Sequence, residues 1–188
     1  MILLIVIIVI VVIAVALAVA LMRRRTALRE GSGPEYDRLK SEMGPRRAKA
    51  EFGKRRQHVA GLEIKSLSDE RRSAYESQWT AAQEQFIESP LGATRSAASL
   101  VTAVAAERGY PVDNDSQLLT DLSVYHGRPL DGYREARTLT KQGEVAETEQ
   151  LRQAVLEYRA MFQDLLESTD DDTNPRATKN LAAARPGQ

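Results

Sequence analysis

The sequence predicts an all-α protein, in which a single N-terminal transmembrane helix is followed by a small bundle of four to five short amphipathic helices. Residues Ile2 to Met22 form a run without a charge, a Pro or a Gly. At about 1.5 Å per residue, a helix of this length matches a hydrocarbon core of about 30 Å. Beyond Leu62, apolar residues recur at steps of three and four, which is typical of helices with one buried face.

The apolar run is best interpreted as an uncleaved membrane anchor. It is followed directly by three arginines, Arg23, Arg24 and Arg25. Basic residues beside a transmembrane helix are retained on the cytoplasmic side. We therefore predict a single-pass protein of the cell membrane, with residues 1–25 as the anchor and its arginine flank, and with the C-terminal domain in the cytoplasm.

A cleavable signal peptide is the alternative interpretation of the same run. The segments Ala14-Val15-Ala16, Ala16-Leu17-Ala18 and Ala18-Val19-Ala20 all fit the small-x-small pattern of a cleavage site. A signal peptide, however, has a positive region before a shorter apolar stretch, and here only the amino group of the chain precedes Ile2. Under this alternative the chain is an exported envelope protein.

The net charge of zero hides two segments of opposite sign. Residues 23–59 contain twelve Lys or Arg against five Asp or Glu, and the chain after residue 59 is correspondingly acidic. A basic segment beside a membrane anchor attracts anionic lipid headgroups, although it also sets topology. The candidate lipid-facing basic residues are Arg23, Arg24, Arg25, Arg46, Arg47, Lys49, Lys54, Arg55 and Arg56. Nucleic acid is a poorer partner, because the segment has few aromatic residues and no recognition motif.

Residues 26–61 are predicted to form a basic juxtamembrane segment that is partly helical. Gly31-Ser32-Gly33-Pro34 is a flexible break, and a short helix is expected from Glu35 to Met43. Gly44-Pro45 interrupts it, and Arg46 to Ala60 has the pattern of a charged helix. Its apolar stripe is too thin to bury much by itself.

Residues 62–167 are predicted to form the helical domain, which begins with two capped helices. Ser66 or Ser68 is expected to cap the first helix. Its apolar stripe consists of Tyr75, Trp79, Ala82 and Phe86. Ser89 and Pro90 are expected to begin the second helix, and Gly109 to end it.

Three further helices complete the predicted domain. Asp113 is expected to cap the third, and the fourth is expected from Leu130 to Gln142. Thr148 is expected to cap the fifth. The apolar stripe of that helix consists of Leu151, Val155, Tyr158, Phe162 and Leu165. Residues 168–188, which are rich in Asp, Pro and small side chains, are predicted to be a disordered tail.

A search for catalytic, cofactor-binding and metal-binding residues gives no candidate that the pattern supports. The chain has no cysteine and two histidines. His58 is surrounded by cations in sequence, and His126 stands at a predicted helix end, where capping explains it. We therefore expect no catalytic residue, no cofactor and no metal site, and a protein that is not an enzyme. The one alternative is a small-ligand binder or enzyme that uses Asp121, Tyr125 and His126.

Four blocks of the helical domain resemble a family of small actinobacterial-type proteins of unknown function. The blocks are Tyr75…Trp79…Phe86-Ile87…Pro90, Leu100-Val101…Glu107-Arg108-Gly109-Tyr110-Pro111, Asp121-Leu122-Ser123-Val124-Tyr125-His126, and Leu151-Arg152-Gln153-Ala154…Tyr158-Arg159…Phe162. The resemblance implies an N-terminal membrane segment, an arginine-rich flank and a helical domain, and it implies no activity. The chain departs from the family pattern near residues 114–120 and 127–129.

The leading functional hypothesis is a non-enzymatic, membrane-anchored helical interaction module. Its cytoplasmic domain would be tethered to the inner leaflet and would bind a protein partner that the sequence does not identify. Tethering raises the effective concentration of such a surface at the membrane.

Overall fold

The computed structural model describes residues 33–142 and 146–168, and this part of the chain is all-helical, without strands. Its seven helices are α1 (Pro34–Met43), α2 (Pro45–Val59), α3 (Asp69–Gln85), α4 (Pro90–Glu107), α5 (Asp115–Tyr125), α6 (Leu130–Gln142) and α7 (Thr148–Glu167). The predicted all-α class and helical bundle are confirmed.

The predicted anchor and tail lie outside the described residues. This applies to Ile2–Met22, to Arg23, Arg24 and Arg25, and to residues 169–188. Within residues 33–142 and 146–168, no helix is long and apolar enough to cross a membrane. The described residues from Pro34 to Ser168 belong to one compact unit.

Local capping explains where most helices begin. The side chain of Ser68 accepts a hydrogen bond from the Arg71 amide at 3.3 Å, and the side chain of Ser89 accepts one from the Gly92 amide at 3.3 Å. These bonds satisfy amides that have no partner within the first turn of a helix. Both predicted caps, and Pro90 in the first turn of α4, are confirmed.

Two predicted caps are wrong by one residue. Asn114, not Asp113, caps α5, because its side-chain oxygen reaches the amides of the second and third helical residues at 2.9 and 3.0 Å. At α7 the cap position belongs to Glu147, and Thr148 is the first helical residue. The Gln150 side chain accepts a hydrogen bond from the Glu147 amide at 2.9 Å, which fixes this start.

The core lies between α3, α4, α5, α6 and α7, and α7 packs against both α4 and α6. The rings of Trp79 and Phe162 stack with centroids 4.7 Å apart, and the rings of Tyr133 and Tyr158 meet edge to face at 5.7 Å. Aromatic pairs of this kind add to the stabilisation that burial of apolar area provides. The predicted stripes of α3 and α7 therefore face the core, although Val155 is only partly buried against it. Phe86, the C-cap residue of α3, is partly buried outside the core cluster.

Helices α1 and α2 form a hairpin that packs on α5. Gly44, with φ at 80°, has a positive φ that a glycine adopts readily, and it forms the turn between them. Leu39 of α1 is buried, and Ala48 and Val59 form a narrow buried stripe on α2. Glu51, Phe52 and Arg55 of α2 are partly buried, and its other residues are exposed.

Candidate functional site

The exposed side of α2 carries a cluster of cations that we call the basic face. It consists of the five exposed residues Arg46, Arg47, Lys49, Lys54 and Arg56. None of them forms an ion pair with another described residue. The single acidic residue of α2, Glu51, is half-buried and accepts a hydrogen bond from Arg55 Nε at 3.1 Å. The basic face therefore presents positive charge alone.

Arg55 is the basic residue of α2 that turns inward. Its Nη1 atom donates to Glu35 Oε1 at 3.0 Å and to Ser123 Oγ at 3.2 Å. Its side chain is 14% exposed. These bonds join α2 to α1 and α5, and so they set which side of α2 faces outward.

Glu35 is the centre of a cluster of three arginines. Its side chain is 2% exposed, and its two carboxylate oxygens accept hydrogen bonds from Arg38, Arg55 and Arg134. Nη2 of Arg38 donates to Glu35 Oε1 at 2.6 Å, and Nη1 of Arg134 donates to Glu35 Oε2 at 3.0 Å. Burial alone raises the pKa of Glu35, but the hydrogen bonds and charges of Arg38 and Arg134 outweigh it and lower the pKa to about 2.

The nine residues predicted to face lipid thus fall into three groups. Five of them form the basic face. Arg55 instead faces Glu35. Arg23, Arg24 and Arg25 lie outside the described residues.

The alternative site at Asp121, Tyr125 and His126 lies mostly in the interior. His126 stands at the C-cap position of α5, as predicted, and is 1% exposed. Its Nδ1 atom lies 2.6 Å from Asp164 Oδ2, and its Nε2 atom lies 3.0 Å from the Tyr110 hydroxyl. Both ring nitrogens are therefore engaged in bonds that connect α5 to α7 and to the segment after α4.

Asp121 belongs to a second polar group on α5. Its Oδ1 atom accepts a hydrogen bond from Gln117 Nε2 at 2.8 Å and lies 3.5 Å from Nε2 of His58 on α2. Burial raises the pKa of Asp121, and the hydrogen bond from Gln117 and the charge of His58 oppose this rise. The group joins α2 to α5 beside the Arg55–Ser123 bond.

A groove lies elsewhere on the described bundle. It has a volume of about 520 Å³ and is lined by α4, α6, α7 and Val112. Asp121, Tyr125 and His126 do not line it. Within residues 33–142 and 146–168, no group of three or more His, Asp or Glu side chains is placed to hold a metal ion.

Two buried charges of the bundle are not evident from sequence. Glu35 has partners up to 99 residues away, which no local pattern indicates. Arg108, at the C-terminal end of α4, is fully buried. Its Nη1 atom donates to the carbonyls of Leu165 at 2.5 Å and Ser168 at 3.0 Å. Arg108 therefore binds the C-terminal carbonyls of α7 as well as ending α4.

Comparison with known proteins gives no further guide to the site, because no protein-family model, curated protein or solved structure matches this chain. The resemblance to the actinobacterial-type family stays a prediction.

Proposed function

We propose that this chain is a non-enzymatic, membrane-anchored module, in which the helical bundle is held at the cytoplasmic face of the membrane and binds a protein partner there. The observation that supports the proposal best is the order of its parts. An apolar run long enough to span a bilayer ends in three arginines, and a compact bundle begins only a few residues later, at Pro34.

The short connection gives the anchor its physical effect on the bundle. Eight residues, Thr26 to Gly33, separate Arg25 from α1 and will be called the link. Even fully extended, a link of this length spans at most about 29 Å. A bundle confined in this way meets membrane-associated partners at a much higher effective concentration than a free domain.

Labelling of single cysteines tests the proposed topology. The chain has no cysteine of its own, so one introduced thiol reports one position. We expect the variant Ser77→Cys, exposed on α3, to react with a membrane-impermeant maleimide only after the cells are opened. Reaction in intact cells would contradict the cytoplasmic assignment. N-terminal sequencing separates the envelope alternative, because a mature chain that begins between residues 17 and 21 has lost its anchor.

Charges placed inside the apolar run test the anchor itself. We expect the double variant Ile10→Arg/Val12→Arg to move from the membrane pellet to the alkaline extract, because each Arg at the centre of a spanning helix costs about 2.5–3.5 kcal/mol. The matched control, Thr26→Arg/Ala27→Arg, adds the same charge just beyond the arginine flank and should stay in the pellet. Equal extraction of the two variants would argue against a spanning helix.

A further inference from the structure

We propose that the basic face of α2 binds an anionic lipid surface, so that the bundle lies against the membrane through this one helix. The proposal deepens the proposed function and rests on it, because the anchor and the link bring α2 close to the bilayer. It adds a second, electrostatic contact with the membrane that the anchor alone does not provide.

The charge of the basic face is not neutralised by acidic side chains of the described residues. Elsewhere on the bundle, Arg71 binds Glu107 at 2.6 Å and Arg152 binds Glu149 at 2.6 Å. Arg95 and Arg159 are exposed and form no ion pair with another described residue, but neither has a second Lys or Arg within six positions of the sequence. The five residues of the basic face have no such partner among the described residues. Protein surfaces normally intersperse both signs of charge, so a face with one sign points to an external partner of the opposite sign.

The side chains between these cations favour lipid over nucleic acid or protein as the partner. The exposed residues Ala50, Gly53 and Gln57 are small or neutral, and the only aromatic residue of α2, Phe52, is half-buried with its ring 5.8 Å from that of Tyr36. The face thus lacks exposed aromatic rings on which nucleic acid bases would stack. It also lacks the large apolar side chains that anchor most protein interfaces. A diffuse layer of anionic headgroups requires neither.

Bonds on the inner side of α2 hold this helix in a fixed orientation. Arg55 is hydrogen-bonded to Glu35 and Ser123. His58 lies 3.5 Å from Asp121. The side of α2 opposite the basic face is therefore bonded to α1 and α5. The five cations therefore point outward together without further rearrangement. Attraction to an anionic leaflet acts only within about one Debye length, which is about 8 Å at physiological salt. Because the five cations already point to the same side, all of them can approach the leaflet within this distance.

A fluorescence experiment on the full chain in lipid nanodiscs tests this contact. A fluorophore is attached to Ala50→Cys, at the centre of the basic face, or to the matched control Ala160→Cys, exposed on α7. The discs carry headgroup-quencher lipids in phosphatidylcholine, with or without about 30 mol% phosphatidylglycerol. We expect quenching at position 50 to exceed that at position 160 about threefold, only in the anionic discs, and to be lost in about 1 M salt, where the Debye length is about 3 Å.

Charge-reversal variants assign the contact to α2. Arg47→Glu/Lys54→Glu should reduce quenching at position 50 to the level of position 160. Arg95→Glu/Arg159→Glu makes the same change in net charge at exposed positions of α4 and α7, and it should leave the quenching unchanged. Circular dichroism verifies that both variants are folded. Equal quenching at the two positions, or an equal effect of the two double variants, would overturn the proposal.

Two further outcomes separate the lipid proposal from binding of nucleic acid and from failure of the anchor. Binding of single-stranded RNA to the chain in neutral discs that requires Arg47 and Lys54 would assign the face to nucleic acid and overturn the lipid proposal. A chain that fails to stay with neutral discs would instead refute the anchor. The basic face is then tested with vesicles of phosphatidylglycerol, where salt-sensitive flotation that Arg47→Glu/Lys54→Glu abolishes would support it, and equal flotation of both double variants would reject it.

Discussion

Glu35 shows how a single residue organises the side of the bundle that carries the basic face. Its carboxylate accepts hydrogen bonds from Arg38 on α1, Arg55 on α2 and Arg134 on α6. A buried carboxylate without partners would be costly, but three guanidinium groups satisfy its oxygens. Each arginine also has an acidic neighbour on its own helix, so the cluster as a whole carries little net charge.

The variant Glu35→Gln tests this role through the pH dependence of stability. The folded-state pKa of Glu35 is lowered from 4.5 to about 2, so its stabilising contribution is present above pH 4.5 and is lost as the pH falls toward 2. At about 1.4 kcal/mol per pKa unit, we expect the variant to lose about 3 kcal/mol of unfolding free energy at neutral pH. Denaturant unfolding should show the two proteins converging below pH 4.5.

Glu42→Gln is the matched control for this prediction. Glu42 binds the same Arg38 at 2.5 Å, but its side chain is 49% exposed. Exposed ion pairs contribute at most about 1 kcal/mol, so this variant should unfold almost as the parent does. If Glu35→Gln had an equally small effect at neutral pH, Glu35 would not organise the three helices.

At the scale of an element, α4 ends at a glycine that the surrounding backbone requires. Gly109 has φ at 101°, and a Cβ atom placed on it would lie 2.5 Å from the carbonyl oxygen of Glu63. The same approach permits the hydrogen bond from the Lys65 amide to the Arg108 carbonyl at 2.9 Å. The end of α4 and the segment before α3 are therefore joined through backbone alone.

Substitution of two glycines by alanine should have opposite effects. We expect Gly109→Ala to lower the unfolding free energy by at least about 2 kcal/mol, because of backbone strain and the clash with Glu63. Gly53, inside α2, has nothing within 4 Å of an added Cβ, so Gly53→Ala should raise stability by about 0.5–1 kcal/mol. Thermal unfolding of both variants measures this, and a stable Gly109→Ala protein would refute the close approach.

The helices follow from the sequence wherever their signals are local. The bounds of α6 and the caps at Ser68 and Ser89 agree with their predictions, since periodicity and capping act within a few residues. At Asn114 and Glu147 the prediction misses by one residue, because adjacent polar residues compete for the same amides.

The local pattern of the sequence does not reveal contacts between residues that are far apart in the chain. The cations of α2 are evident as a cluster because charge clustering is local. The inward turn of Arg55 is not evident, because it depends on Glu35, 20 residues away. The basic face is consequently smaller than the predicted set of cations by one residue of α2.

At the scale of the whole molecule, the two proposals are joined by the length of the link. If the basic face contacts lipid because the anchor holds it nearby, a longer link must weaken that contact and leave the anchor unaffected. Insertion of about 24 Gly and Ser residues after Ser32 makes the link about four times longer, and the effective concentration of the face at the membrane then falls about eightfold.

We therefore expect the inserted chain to lose quenching at position 50 at a lower salt concentration than the parent, while it remains as resistant to alkaline extraction. The matched control carries the same insert after Gln188 and should behave as the parent does. An unchanged salt midpoint after insertion in the link would mean that the basic face binds lipid without help from the anchor. The tether would then serve only to localise the bundle for its protein partner, because it would contribute nothing to the contact made by α2.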